Sequence, residues 1–211
     1  MIVAFDFDGT LAPSFNLVNR CIIQVAKDNG IFLKESDLIP YYGPTEEGMI
    51  NNILKSDNRA NFKKYLQYYS EYHNIELNRL NPYVNELLDH LKDKGVNIIL
   101  LTGRSKESTE ISLAYFGLNK YFTKVYTGSK NGSNKAFNFT KVMKDFSCSS
   151  KDIIYIGDSK KDVQECQKSN IKILSINFDN ERLAKIKEIN NFSYSSFIEL
   201  EKELNKYLGA W

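Results

Sequence analysis

The sequence predicts a doubly wound α/β fold, a parallel sheet between two helical layers, with a small all-helical domain inserted early in the chain. Three observations lead there. Short apolar runs alternate with helical stretches of about ten to fifteen residues over the second half of the chain. Two of those runs, Ile98-Ile99-Leu100-Leu101 and Ile153-Ile154-Tyr155-Ile156, are apolar without interruption, as strands covered on both faces must be. Nearly ninety residues separate the first run from the second, several times what one crossover helix needs.

Taken in order, the predicted strands are residues 2–7, 96–102, 124–126, 153–157 and 171–176. Residues 82–94, closed by Gly95, supply the crossover helix before the second strand. Residues 105–116 start on a Ser N-cap and stop at Gly117. Residues 135–146 and 160–169 mix apolar and charged positions and complete the alternation. The surplus stretch carries helical patterns at 17–27, 45–54 and 61–73, with 37–44 as a loop. The predicted division is therefore a core of residues 1–13 and 81–211 around a helical domain of residues 14–80. Thr45 is suited to cap the helix it opens, and Glu46 and Glu47 to its positive end. Tyr65, Tyr68, Tyr69 and Tyr72, at helical spacing, read as the core of the insert rather than a stacking site.

Composition excludes several function classes. Of 211 residues, 42% are hydrophobic and 13% aromatic, enough for a packed core, and net charge is only +2. The pairs Lys63-Lys64 and Lys160-Lys161 read as solvated helix faces, so no nucleic-acid partner is expected. No run reaches the roughly 18 apolar residues of a membrane span. The early Asp6 and the lack of a basic leader argue against a signal peptide. Cys21, Cys148 and Cys166 lack metal-ligand spacing and read as reduced thiols of a cytoplasmic protein. His73 and His90 read as surface residues.

The chemistry collects at one edge of the predicted sheet, the carboxyl ends of the strands, where open α/β sheets bind ligands. Asp6 and Asp8 close the first strand and Thr102-Gly103-Arg104 the second. Gly157-Asp158 closes the fourth, with Asp162 one helical turn on. Lys135 opens the helix leading to that fourth strand, and Lys130, in a Gly- and Ser-rich loop, is a rival lysine nearby. Asp6, Asp8 and Asp158 clustered in one cleft would oppose one another's ionisation. A hard divalent cation resolves that conflict, and such oxygen ligands suit Mg²⁺.

Asp6-Phe-Asp-Gly-Thr-Leu, Thr102-Gly-Arg, Lys135 and Gly157-Asp-Ser-Lys-Lys-Asp162 resemble the four motifs of the haloacid dehalogenase (HAD) superfamily, in order and over nearly the whole chain. The insert resembles the helical cap of its phosphoglycolate phosphatase-like and β-phosphoglucomutase-like members. The resemblance implies Asp6 as nucleophile and Asp8 as general acid and base. It implies Mg²⁺ on the Asp6 carboxylate, the Asp8 carbonyl and the Asp158 carboxylate. Lys135, Thr102 and the backbone N–H groups of Gly9 and Gly103 would hold phosphate oxygens, while Asp162 would orient a metal-bound water or fix Lys135. Because Asp8 supplies a second acid, phosphoryl chemistry is favoured over dehalogenation. The expectation is a phosphatase acting on a small phosphorylated metabolite, phosphoglycolate foremost. The alternatives are a sugar-phosphate mutase or a non-enzymatic phosphoacceptor like a receiver domain. Tyr41 to Glu47 resembles the cap loop that helps choose the leaving group, and Arg20 could meet an anionic substrate tail.

Overall fold

The computed structural model of the chain describes residues 1–132 and 135–209. At its centre is a six-stranded parallel sheet of β1 (Ile2–Phe5), β2 (Asn97–Leu101), β3 (Lys124–Tyr126), β4 (Ile153–Gly157), β5 (Lys172–Ile176) and β6 (Ser193–Tyr194). The strand order is β3-β2-β1-β4-β5-β6. Connections run outward in opposite directions from β1, so the topological switch lies between β1 and β4, where a crevice opens at the strand ends. Pairing of Phe5 with both Leu100 and Ile156 sets that register. It brings the residue after each strand to the same edge, and the Asp6 N–H donates to the Ile156 carbonyl at 2.9 Å.

Strand alternation explains the two cores. Ile2 and Ala4 face a cluster with Phe139, Val142, Val163 and Cys166, drawn from α6 (Lys135–Asp145) and α7 (Lys160–Lys168). Val3, Phe5 and Phe7 face the other cluster, with Leu87 and Leu88 of α4 (Val84–Asp93) and Leu200 and Leu204 of α9 (Phe197–Leu208). Both faces are thus covered, as the unbroken apolar runs require. The second cluster continues without a break into α1 (Phe15–Asp28), α2 (Glu46–Leu54) and α3 (Arg59–Glu76) through Leu17, Cys21, Ile50 and Phe62.

The first four helical patterns of the chain are present with ends shifted by a few residues, and residues 35–41 form a 3₁₀ turn where a loop is expected. Thr45 does cap α2, its hydroxyl accepting from the Gly48 N–H at 3.4 Å. Helix α5 (Lys106–Tyr115) likewise starts on Ser105. β6, α8 (Asn180–Lys187) and α9 extend the sheet and its cover beyond the predicted fifth strand. No helix among the described residues is long and apolar enough to cross a membrane.

Candidate active site

β1 and β4 deliver the acids. Asp6 directly follows β1 and Asp158 directly follows β4, both buried. Asp162 reaches the same point from the first turn of α7. There its second oxygen completes a capping box with Ser159, accepting from the Ser159 N–H at 3.1 Å and from its hydroxyl at 2.6 Å. Asp6, Asp158 and Asp162 each offer a carboxylate oxygen, and the three lie within 4.8 Å of one another. The sequence placed Asp8 in this trio. The structure instead points the Asp8 side chain at the Ser14 hydroxyl and, at 3.8 Å, at Arg104. A metal contact through the Asp8 carbonyl, as the resemblance implies, does not need that side chain.

Lys135 is the counter-charge. From the first residue of α6 its ammonium donates to Asp6 Oδ2 at 2.6 Å, to the Tyr155 hydroxyl at 2.6 Å, and to Asp162. Of the two roles open to Asp162, contact with Lys135 is the one seen. The rival Lys130 pairs with Asp57 at 3.2 Å on the surface. Tyr155, from the middle of β4, donates in turn to the Leu101 carbonyl at 3.2 Å, fixing the lysine tip to the sheet.

The electrostatics follow from burial. Loss of solvent pushes the Asp6 carboxyl up to about 6, against the pull of Lys135 and with repulsion from Asp162 and Asp8 added. Burial, then Asp162 and Asp6, raise Asp158 well above the ordinary carboxylate range. Burial alone would lower Lys135, but the Asp162 and Asp6 carboxylates outweigh it and its pKa rises. One lysine among three acids leaves the cluster short of positive charge. The donor set, hard carboxylate oxygens with one buried ammonium, fits a divalent cation. Gly9 matters for space: its φ is +74°, and a Cβ there would lie 2.2 Å from Asp158 Oδ2.

A cavity of about 340 Å³ opens onto these groups, within the range for small-molecule sites. Asp6, Asp8, Lys135, Asp158 and Asp162 line it, with Gly103 from the core and Tyr42, Gly43 and Pro44 from the insert. Two expected phosphate contacts are placed differently. The Gly9 N–H donates to the Ala12 carbonyl at 2.8 Å, closing the turn that carries Asp8. Thr102 is buried, and its hydroxyl accepts the Arg104 N–H at 3.3 Å because the chain turns there from β2 into α5. Arg20 lies away from this wall, paired with Glu76 and stacked on Tyr72.

The sequence did not reveal the role of Arg104 and Glu46, both buried. Arg104 donates to Tyr69 and to Ser112 (3.3 Å), lies over the Phe7 ring and reaches Glu46 at 3.5 Å. Glu46, in the first turn of α2, also accepts from the Ser105 N–H (2.7 Å) and the Ser108 hydroxyl (2.5 Å). The inserted helices are therefore joined to the start of α5 by a buried polar network. His73, expected at the surface, is buried within it, its Nε2 3.0 Å from Ser112 Oγ. Desolvation lowers its pKa to about 4, so the ring is neutral. A polar residue in the first turn of a helix and an Arg three residues past a strand end were the available signals.

The family model described as haloacid dehalogenase-like hydrolase matches residues 3–176. The chain is similar to a pyrophosphatase PpaX of Bacillus mycoides, 23% identical over 181 residues, covering 83% of each chain. It is 25% identical to a phosphoglycolate phosphatase of Vibrio parahaemolyticus over 177 residues, 77% of each chain. Among solved structures, one described as a predicted phosphatase from Clostridium acetobutylicum superposes with a TM-score of 0.74 at 24% identity, over 97% of this chain and 98% of that one.

Proposed function

The chain belongs to the haloacid dehalogenase-like hydrolases, and on that premise we propose that it is a Mg²⁺-dependent phosphomonoesterase working through an aspartyl-phosphate on Asp6. The observation that carries this reading is the Lys135 ammonium lying 2.6 Å from Asp6 in a carboxylate cluster at the sheet's switch point. A buried nucleophilic carboxylate beside a fixed cation and further acids is what phosphoryl transfer asks for: little covalent assistance, much positioning and charge neutralisation.

In this reading Asp6 attacks the phosphorus in line as the ester oxygen leaves, and the carboxylate becomes an acyl phosphate. Asp8 gives its proton to the departing oxygen and then takes one from the water that cleaves the acyl phosphate. Ser14 and Arg104 hold the Asp8 carboxylate for both steps. Lys135 and the Gly103 backbone hold phosphate oxygens, with Thr102 joining once its hydroxyl leaves the Arg104 amide. Asp6, Asp158 and the Asp8 carbonyl would hold Mg²⁺, which supplies charge neutralisation to the transferred group. Asp162 keeps Lys135 in place. Residues 14–80 form a cap over a core of residues 1–13 and 81–211, and the buried join at Glu46 and Arg104 supports the cap's resting position.

The substrate in this reading is a small phosphorylated metabolite of the phosphoglycolate kind. The cavity size and the two relatives named for phosphoglycolate and pyrophosphate hydrolysis support that class. The test is turnover of a generic aryl phosphate with Mg²⁺, with and without chelator. Chelation and Asp6→Asn should each abolish it, and Asp8→Asn should lower kcat by about a hundredfold or more. Undiminished turnover by Asp6→Asn would overturn the covalent mechanism.

A further inference from the structure

We propose that Lys161 is a specificity-determining residue that binds a second anionic group, carboxylate or phosphate, on the leaving-group side of the substrate; this rests on the phosphatase reading of the same cavity.

Three cationic side chains line the cavity: Lys135, Arg104 and Lys161. The first two are committed, Lys135 to Asp6 and Asp162, Arg104 to Glu46. Lys161 makes no ion pair among the described residues, although its neighbour Lys160 reaches Glu188 at 3.1 Å. Both lysines are exposed, but of the two only Lys160 has a carboxylate partner among the described residues.

Position matters as much as charge. Lys161 stands in the first turn of α7, one residue before Asp162, so the helix that carries a member of the acid cluster also carries this ammonium to the cavity rim. Its Nζ lies 3.8 Å from where a Cβ on Gly43 would sit, which places it against the loop that leads into α2. Among the uncharged lining residues, the Ser159 hydroxyl already donates to Asp162 at 2.6 Å. Phe15, Val18, Pro44 and Met49 are apolar, and the Tyr42 hydroxyl already donates to Asn19 at 2.7 Å. A ligand with its phosphate at Asp6 and Lys135 would extend between apolar walls toward one unpaired cation. A cavity of about 340 Å³ limits that ligand to a few heavy atoms beyond the phosphate. Lys161 is exposed, so a neutral sugar or alcohol leaves its ammonium to water, whereas a carboxylate or second phosphate gains a charge-assisted hydrogen bond.

The experiment compares three substrates differing in the leaving group: 2-phosphoglycolate, its neutral isostere 2-phosphoryloxyacetamide, and pyrophosphate. Each is assayed with wild type, Lys161→Met and Lys161→Arg. The expected result is an acid-over-amide preference in kcat/KM that falls about three- to tenfold in Lys161→Met, the size of a charge-assisted contact discounted for exposure. The loss should sit in KM rather than kcat, and Lys161→Arg should restore it. A parallel loss with pyrophosphate shows that Lys161 holds either anion; a loss confined to phosphoglycolate assigns a carboxylate. A wild type without acid-over-amide preference, or a preference that survives Lys161→Met, overturns the proposal. If no ester or anhydride is turned over, the phosphatase reading fails, and calorimetric affinities for phosphoglycolate and the amide decide this one. Equal affinities, no binding, or no effect of Lys161→Met overturn it.

Discussion

Asp6→Asn should make the metal-free protein more stable while removing its activity. In the folded chain burial holds the Asp6 carboxyl at about 6 against an ordinary value of 3.8. At about 1.4 kcal/mol per pH unit, that gap is roughly 3 kcal/mol of penalty on the ionised form. The attraction to Lys135 is already inside that balance. Allowing for relaxation around the removed charge, the substitution should stabilise the chelated protein by about 2 kcal/mol at pH 7.5, or roughly 4–8 °C in Tm for a chain of this size. The sign follows from linkage. A carboxyl whose folded pKa is raised binds its proton more tightly when folded, so stability falls as pH rises from 3.8 through about 6. The advantage of Asn should therefore shrink to about a third at pH 4.5 and vanish below the unfolded value. Saturating Mg²⁺ should reverse the order, since at a hundredfold excess over Kd a bound ion adds about 2.7 kcal/mol to wild type. Thermal melts in chelator at both pH values, then in Mg²⁺, read all of this. A variant that melts at or below wild type in chelator at pH 7.5, with no change on acidification, would refute the reasoning.

Three other perturbations have definite outcomes. Gly9→Ala puts a methyl group 2.2 Å from Asp158 Oδ2 at a positive φ, so the Mg²⁺ concentration for half-maximal activity should rise about tenfold or more, checked by metal titration of turnover. Glu46→Ala strips Arg104 of a buried partner and orphans the Ser105 N–H and Ser108 hydroxyl; it should cost about 3–5 kcal/mol by denaturant melting, and a change under 1 kcal/mol would show the network to be slack. Tyr155→Phe removes the hydroxyl between Lys135 and the Leu101 carbonyl, and should lower stability by about 1 kcal/mol with a kcat loss exceeding the KM change, read by steady-state kinetics and melting together.

What could be read from sequence was whatever local pattern controls. The unbroken runs at 98–101 and 153–156 announced doubly covered strands, and Asp6 after β1 and Asp158 after β4 had to meet because parallel pairing in register puts those strand ends at one edge. β6 escaped because it has two residues, Ser193–Tyr194, with no apolar run; β5 receives them through the Asn177 N–H to the Tyr194 carbonyl at 3.1 Å. The Glu46–Arg104 join escaped for a different reason. Its partners are 58 positions apart, and a Glu in a first helical turn is already explained by the helix dipole. His73 has an apolar-looking neighbourhood only once α3 is laid against α5, and its hydrogen bond to Ser112 spans 39 positions. The Gly9 and Thr102 contacts depend on turn geometry, which decides whether an amide faces a ligand or closes its own loop.

The most direct test of the account is chemical trapping of the phosphorylated side chain. The enzyme turning over a phosphate ester with Mg²⁺ is quenched and reduced with borohydride, which converts an acyl phosphate to the alcohol, and the peptides are sequenced by mass spectrometry. Homoserine is expected at position 6 of the wild type and at no other acidic residue. Steady turnover with Asp6 recovered unmodified, or with the label on another residue, would contradict it.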